Sequence, residues 1–499
     1  MKEKKLSVPE HFTQQMSPKS QAEMIKYYFH KLKVYPKAQP QVFRALEICL
    51  EGMTPKRLLD TVRELRAFSY RKNSQWLWEE WNQKELSSSH WQKTPIFWLW
   101  MTAHPNGYIR EIAWGKLKNT TIKHKLTFLL LTVNDNVAEL RTLAVQLLMS
   151  ERTFEREELV FSLPFIQRLG GLGHVESRAI QKYMIQLLLD QPESLLEAQQ
   201  SADLFIYRYS FELSYSTESS IISESIPNGF KKVDRITLAR TFREFVRTAE
   251  DKELQVKTLL SHPQTIIRKL ASIWCYNHLE GEAAMIPLLL DSAVSIRYLT
   301  RDYVMKYFPS FDMRAYYLEH LSSCEVNAIQ GLAMLKDDRD KEMMLLRMND
   351  SRKKVRLAVF SWLSCLPMKE QLDNYLLGLA DISKDVRRKS EEHLGELYPY
   401  FYSELKQELF TQFKTSKETK QQISILNVLT NGMRKEYLFD LFELYPFSAN
   451  LTVEEEVKQR IYSWEYAWNR KFFVAFTEEE QEQLKQASNK LQLFLFDEY

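Results

Sequence analysis

The chain has 499 residues, 44% of them hydrophobic and 27% charged, the make-up of a folded protein far from the disordered regime. Glycine is scarce, 12 residues in all, against an average usage of about 7%. That scarcity disfavours sheets joined by tight turns and favours helices, whose interiors glycine destabilises. No apolar run reaches the roughly 18 residues that a membrane span needs. The opening MKEKKLSVPEHF carries charge but no apolar core of a secretory signal, so a cytoplasmic location is expected. Cys49, Cys275, Cys324 and Cys365 are widely spaced in or beside apolar helical stretches, which reads as buried thiols in a reducing compartment.

In chain order, residues 1–20 read as a flexible arm and 21–94 as a basic helical region. Net charge is uneven: residues 1–125 hold 22 Lys and Arg against 11 Asp and Glu, a net of +11, although the whole chain carries only +3. Seven of the eleven tryptophans fall between Trp76 and Trp114, namely Trp76, Trp78, Trp81, Trp91, Trp98, Trp100 and Trp114. Basic residues interleaved with aromatics suit nucleic acid, cations meeting phosphates and rings stacking on bases. The candidates for such contact are Lys56, Arg57, Arg63, Arg66, Arg71 and Lys72. The competing reading packs the tryptophans between helices, and the sequence leaves both open.

From residue 95 a pattern recurs: His104-PNGYI-Arg110, Asp135-NVAEL-Arg141, His262-PQTII-Arg268, Asp291-SAVSI-Arg297, Asp350-SRKKV-Arg356 and Asp381-ISKDV-Arg387. An Asp or His stands six residues before each Arg, and an apolar residue immediately before it. The Asp or His is expected at a helix start, taking up free backbone N–H groups, with the Arg on the helix that follows. A second amphipathic stretch precedes the pattern, for example Lys125 to Thr132 and Glu282 to Leu290. Degenerate copies begin at Val175, Val326 and Lys420. Two helices per roughly 30 residues cannot bury their faces alone, so neighbours must stack.

These copies resemble the HEAT-repeat family, whose second helices carry a D-x-x-x-x-V-R-x-x-A pattern. The resemblance covers about residues 95 to 430 and implies an all-α fold, a right-handed α-solenoid of stacked HEAT-like helix pairs. In that family the Asp and Arg form a ladder between adjacent repeats, a role carried here to Asp135 and Arg141, Asp291 and Arg297, Asp350 and Arg356, and Asp381 and Arg387. His104 and His262 depart from it, because a neutral imidazole does not replace a carboxylate in an ion pair. The repeats are expected over 95–200 and 231–449. Between them, 201–230 breaks the pattern as an irregular insertion, either a helical pair with a long loop or a small hairpin, with Pro227-Asn228-Gly229 as a turn signal. Residues 450–499 read as a helical cap and tail.

Enzyme signatures are missing: no G-K-[ST] phosphate loop, no G-x-S-x-G and no H-E-x-x-H occurs. The cluster Gly170-Gly171-Leu172-Gly173 follows a helix, so it reads as an interhelical turn. No catalytic residue, cofactor or metal is expected. Some alkylpurine DNA glycosylases use HEAT-like repeats with a basic concave face, but their Trp and Asp constellation has no local match here. Finally, Gln492-Leu493-Phe494-Leu495-Phe496 resembles the Q-L-[SD]-L-F peptide that docks bacterial replication and repair proteins on the sliding clamp. Gln492, Leu493, Leu495 and Phe496 match it and Phe494 departs from it. Equally, Leu491, Phe494 and Leu495 at i, i+3 and i+4 suit closure of the last helix. The expected function is a non-enzymatic scaffold binding protein partners on its concave surface. The alternatives are a nucleic-acid-associated solenoid tethered to the clamp, and a glycosylase-like enzyme.

Overall fold

The computed structural model describes residues 16–35, 39–67, 78, 80–86, 94–151, 153–216, 220–431, 434–464 and 476–490. Among them every regular element is helical, and no helix is long and apolar enough to cross a membrane. The chain divides into two compact units, one up to Leu270 and one from Ala271.

The first unit holds α1 (Pro18–Val34), α2 (Gln39–Glu51), α3 (Pro55–Arg66), α4 (Gln83–Leu86), α5 (Pro95–Met101), α6 (Gly107–Leu117), α7 (Lys125–Thr132), α8 (Ala138–Ser150), α9 (Arg156–Leu169), α10 (Val175–Asp190), α11 (Pro192–Gln199), α12 (Leu204–Ser214), α13 (Ile222–Phe230), α14 (Arg235–Thr248) and α15 (Lys252–Leu259). Local chemistry sets the boundaries. Ser17 caps α1 by accepting from Ser20 N, and Thr54 caps α3 by accepting from Arg57 N, each with proline at the first helical position. Residues 16–20, placed in the expected arm, thus include the start of a capped helix. Along α1 the buried Ala22, Ile25, Phe29 and Leu32 form a helical stripe, and α1 lies on α3, as α7 lies on α9.

The tryptophans settle as core. Trp78, Trp81, Trp98, Trp100 and Trp114 are all buried, whereas Trp76 and Trp91 lie outside the described residues. Three of the indole N–H groups bond inward: Trp78 to Leu65 O at 3.3 Å, Trp100 to Leu46 O at 3.4 Å, and Trp114 to Thr132 Oγ1 at 3.1 Å. Trp98 and Trp100, two residues apart, are both buried because every residue of α5 from Ile96 to Met101 is enclosed. The stacking-platform reading therefore fails for these five.

Of the two readings of 201–230, the helical pair is observed, as α12 and α13. Pro227-Asn228-Gly229 does not make the expected turn; it forms the end of α13. Tertiary packing overrides the local signal. Gly229 lies so close to α14 that a Cβ there would stand 2.8 Å from Thr241 Cγ2, and 2.6 Å from the Tyr215 hydroxyl just past α12; Asn228 Nδ2 donates to Gln199 Oε1 at 3.0 Å. The Gly170–Gly173 cluster is a turn between α9 and α10. Of the four thiols only Cys49 and Cys275 are buried; Cys324 and Cys365 are half-buried.

In the second unit, alternate α-helices stack in sequence. Leu321–Leu335 packs on Lys353–Trp362, that on Lys384–Leu397, that on Thr419–Leu429, and that on Leu451–Ser463. The stretch expected as a helix at Glu282–Leu290 is a tighter 3-10 helix, Ala283–Leu290, containing Pro287. Asn450 caps Leu451–Ser463. Thr477 and Glu480 exchange bonds in a capping box that opens Glu478–Lys490, Thr477 N donating to Glu480 Oε2 at 2.7 Å and Glu480 N to Thr477 Oγ1 at 3.3 Å.

Candidate functional site

The six sequence copies share one geometry. In each, the arginine Nη1 donates to the main-chain carbonyl six residues earlier: Arg110 to His104 O at 2.8 Å, Arg141 to Asp135 O at 2.9 Å, Arg268 to His262 O at 2.8 Å, Arg297 to Asp291 O at 2.5 Å, Arg356 to Asp350 O at 2.7 Å and Arg387 to Asp381 O at 2.6 Å. In each, the Asp or His side chain accepts from the N–H two residues on. Asp135 takes it from Val137, Asp291 from Ala293, Asp350 from Arg352 and Asp381 from Ser383. His104 takes it from Asn106 and His262 from Gln264, both through Nδ1. The Asp or His thus braces the turn ahead of the helix rather than its first position. Histidine serves because this role needs an acceptor, not a charge. Burial holds His104 down at about 4 and lowers His262 as well, so each ring is neutral, with Nδ1 free to accept.

Where a motif arginine meets a motif carboxylate, the pair joins adjacent copies. Arg141, Arg297, Arg356 and Arg387 bond the carbonyl of their own Asp, not its carboxylate. Carboxylates are reached from the preceding copy: Arg110 Nη2 meets Asp135 Oδ1 at 2.7 Å, and Arg356 Nε meets Asp381 Oδ2 at 2.8 Å. The carboxylate of Asp350 turns instead to Arg352, at 2.7 and 2.9 Å, which holds it down at about 2.

In the first unit this frame carries a cleft. Helix α3 buries Leu58, Val62 and Leu65, which leaves Arg63 and Arg66 in its last turn on another face. Arg66 reaches Thr102 O at 3.3 Å and the Oδ2 of Asp135 at 3.4 Å. Asp135, 1% exposed, thus lies between Arg66 and Arg110. Burial lowers the Arg66 guanidinium to about 10, partly offset by the Asp135 charge. Beside Arg66 opens a cavity of about 370 Å³ between the C-terminal ends of α3, α7 and α9. Its polar lining is Arg63, Arg66, Asn134 and Arg168, and its floor is apolar, with Val62, Leu130 and Phe165 among its residues.

The other predicted contact residues scatter. Lys56 is exposed, and Arg57 donates to Met16 O at 2.6 Å. Arg71, Lys72 and the tail residues Gln492, Leu493, Leu495 and Phe496 lie outside the described residues. Among the described candidates, Arg63 and Arg66 come together at the cleft. Arg168 and Asn134 escaped sequence reasoning, because nothing local to either marks it as facing α3.

No protein-family model matches the chain, and no curated protein does either.

Proposed function

We propose that the protein is a non-enzymatic helical-repeat adaptor, a HEAT-type α-solenoid that binds a protein partner. The architectural part rests on the six-fold Arg-to-carbonyl geometry and on the alternate-helix stacking of the second unit, the packing expected when each helix pair must borrow its core from the next. The binding part rests on one observation: the open cleft of the first unit is apolar at its floor and cationic at its rim. Asp135, the buried carboxylate paired with the lining residue Arg66, is already engaged by two arginines and so is not poised as a general base. The nucleic-acid reading keeps the charge excess of residues 1–125 but loses the tryptophan platform that accompanied it.

The test is affinity capture from source cells with the full chain as bait, with and without nuclease. A protein partner recovered at fixed stoichiometry after nuclease treatment supports the adaptor. Recovery that disappears with nuclease, or free base released from alkylated DNA by the purified chain, overturns it. The same capture with residues 491–499 removed tests the second reading, that the Gln492–Phe496 peptide docks on a sliding clamp. Loss of the clamp in that sample supports docking.

A further inference from the structure

The arginine-rimmed cleft is specific enough to say what part of a partner it takes, an inference that rests on the adaptor reading. Two opposing fields act there. The C-terminal ends of α3, α7 and α9 converge on the cleft, and helix C-termini carry partial negative charge, about half an elementary charge each and effective only over the last turn. That would favour a cation. Those ends, however, are largely satisfied from within. Ala67 N donates to Arg63 O, Val133 N to Leu129 O, and Gly170 N, Gly171 N and Leu172 N to the carbonyls of Gln167, Arg168 and Leu169. Gln181 Nε2 donates to Ile166 O and Gln167 O.

The full charges at the rim face little opposition. Arg168 is exposed and makes no ion pair among the described residues. Among the described residues Arg63 meets one carboxylate, Asp60 at 3.5 Å, and 62% of its side chain is exposed. Asp135 is spent on Arg66 and Arg110. Two guanidiniums, each with a planar set of donors suited to a carboxylate or phosphate, therefore stand with the Asn134 amide over an apolar floor.

Phosphate and carboxylate differ in what they bring with them. Single strands are held by phosphate contacts together with rings on which bases stack, and among the described residues the lining has one aromatic ring, Phe165, itself 4% exposed. A peptide with a Leu or Phe next to Asp or Glu offers an apolar side chain for the floor and a carboxylate for the rim. We propose that this cleft is a docking site for an acidic peptide segment carrying a large apolar residue beside its carboxylates, Arg63 and Arg168 receiving the acid and the α3–α7–α9 floor receiving the apolar side chain.

The experiment uses the full chain and three fluorescein-labelled, C-terminally amidated hexapeptides: Gly-Leu-Phe-Asp-Glu-Gly, its uncharged counterpart Gly-Leu-Phe-Asn-Gln-Gly, and Gly-Leu-Phe-Lys-Lys-Gly. Binding is read by anisotropy against wild type and the double variant Arg63→Glu, Arg168→Glu. Both heads project into solvent, and circular dichroism checks that the variant is folded. The acidic peptide is expected to bind wild type at least about tenfold more tightly than the uncharged one, the worth of one charge-assisted bond. The double variant is expected to lose that preference and to favour the lysine peptide. Equal binding of acidic and uncharged peptides, no binding up to millimolar concentration, or unchanged binding by the double variant overturns the proposal. So does a short oligothymidine that binds in place of the peptides and is lost in the double variant, which reassigns the cleft to nucleic acid. A cellular partner captured equally by wild type and the double variant leaves the adaptor reading standing while removing this cleft from it.

Discussion

Arg110 donates to Asp135 across 2.7 Å and twenty-five residues, and Arg356 donates to Asp381 across 2.8 Å at the same separation. The two pairs lie in different units of the chain, yet each links one copy of the motif to the next through an arginine guanidinium on an aspartate carboxylate, Nη2 to Oδ1 in the first and Nε to Oδ2 in the second. Each arginine also holds the carbonyl at the start of its own copy, so one guanidinium ties a turn to itself and to its successor.

Asp135 is the costlier end of such a link to remove. Asp135→Ala leaves Arg110, 6% exposed, and Arg66 without their shared counter-charge. The expected loss is about 3–5 kcal/mol, as for other broken buried pairs. Asp350→Ala, whose carboxylate serves the half-exposed Arg352 and one turn N–H, is expected to cost about 1 kcal/mol. Urea denaturation of both variants checks the contrast, and equal losses would refute it.

His104 makes stability depend on pH. Its folded value, about 4, lies below the ordinary 6.5 because of burial. The unfolded chain therefore takes up a proton first as pH falls. Stability from this group is full above about 6.5, declines toward about 4 and is level below it. His104→Asn keeps an acceptor for Asn106 N but loses the contact of Nε2 with Trp78 O. That variant is expected to be less stable at pH 7 and to show a shallower fall in melting temperature between pH 7 and 4.5.

Glu158 works with the opposite sign. Burial raises its carboxyl to about 7 although Leu126 N donates to it. The folded protein holds this proton longer than the unfolded chain, so stability falls as pH rises from about 4.5 through about 7. Glu158→Gln keeps an oxygen acceptor for Leu126 N and carries no charge. Its melting temperature is expected to exceed that of wild type at pH 8 and to converge with it at pH 5.

Gly331 lies against the ring of Tyr317, fully buried; an added Cβ would overlap the ring carbons. Gly331→Ala must displace that ring in a filled core and is expected to cost about 1–3 kcal/mol. A matched substitution at Gly115, where nothing lies within 4 Å of the added atom, should be neutral or slightly stabilising by helix propensity. Thermal unfolding of the pair decides it.

The helices and the recurrence were legible because both are written locally, in 3.6-residue spacing and in a six-residue signature. The histidines at 104 and 262 were harder to place. The pattern suggested a carboxylate, and only the geometry shows that an acceptor suffices. Pro227-Asn228-Gly229 misled because a turn signal is a local preference, and the close approach of α14 to Gly229 outweighs it. Arg66 was singled out for its charge, but its engagement with Asp135 is a contact between distant parts of the chain. No periodicity encodes that contact, nor the facing of Arg168 toward α3.

The spacing of the motif's contacts also bears on how the chain reaches its structure. A guanidinium that closes a six-residue turn and next reaches a group twenty-five residues along needs only small loops to be formed at each step. Loop closure grows costly only slowly with length, and chains rich in such short-range contacts reach the native state quickly. A segment holding two successive copies, such as residues 350–397, contains both partners of every motif bond it makes. Those bonds need no other part of the chain, whereas burial of the segment's outer faces waits for the neighbouring pairs to stack on it.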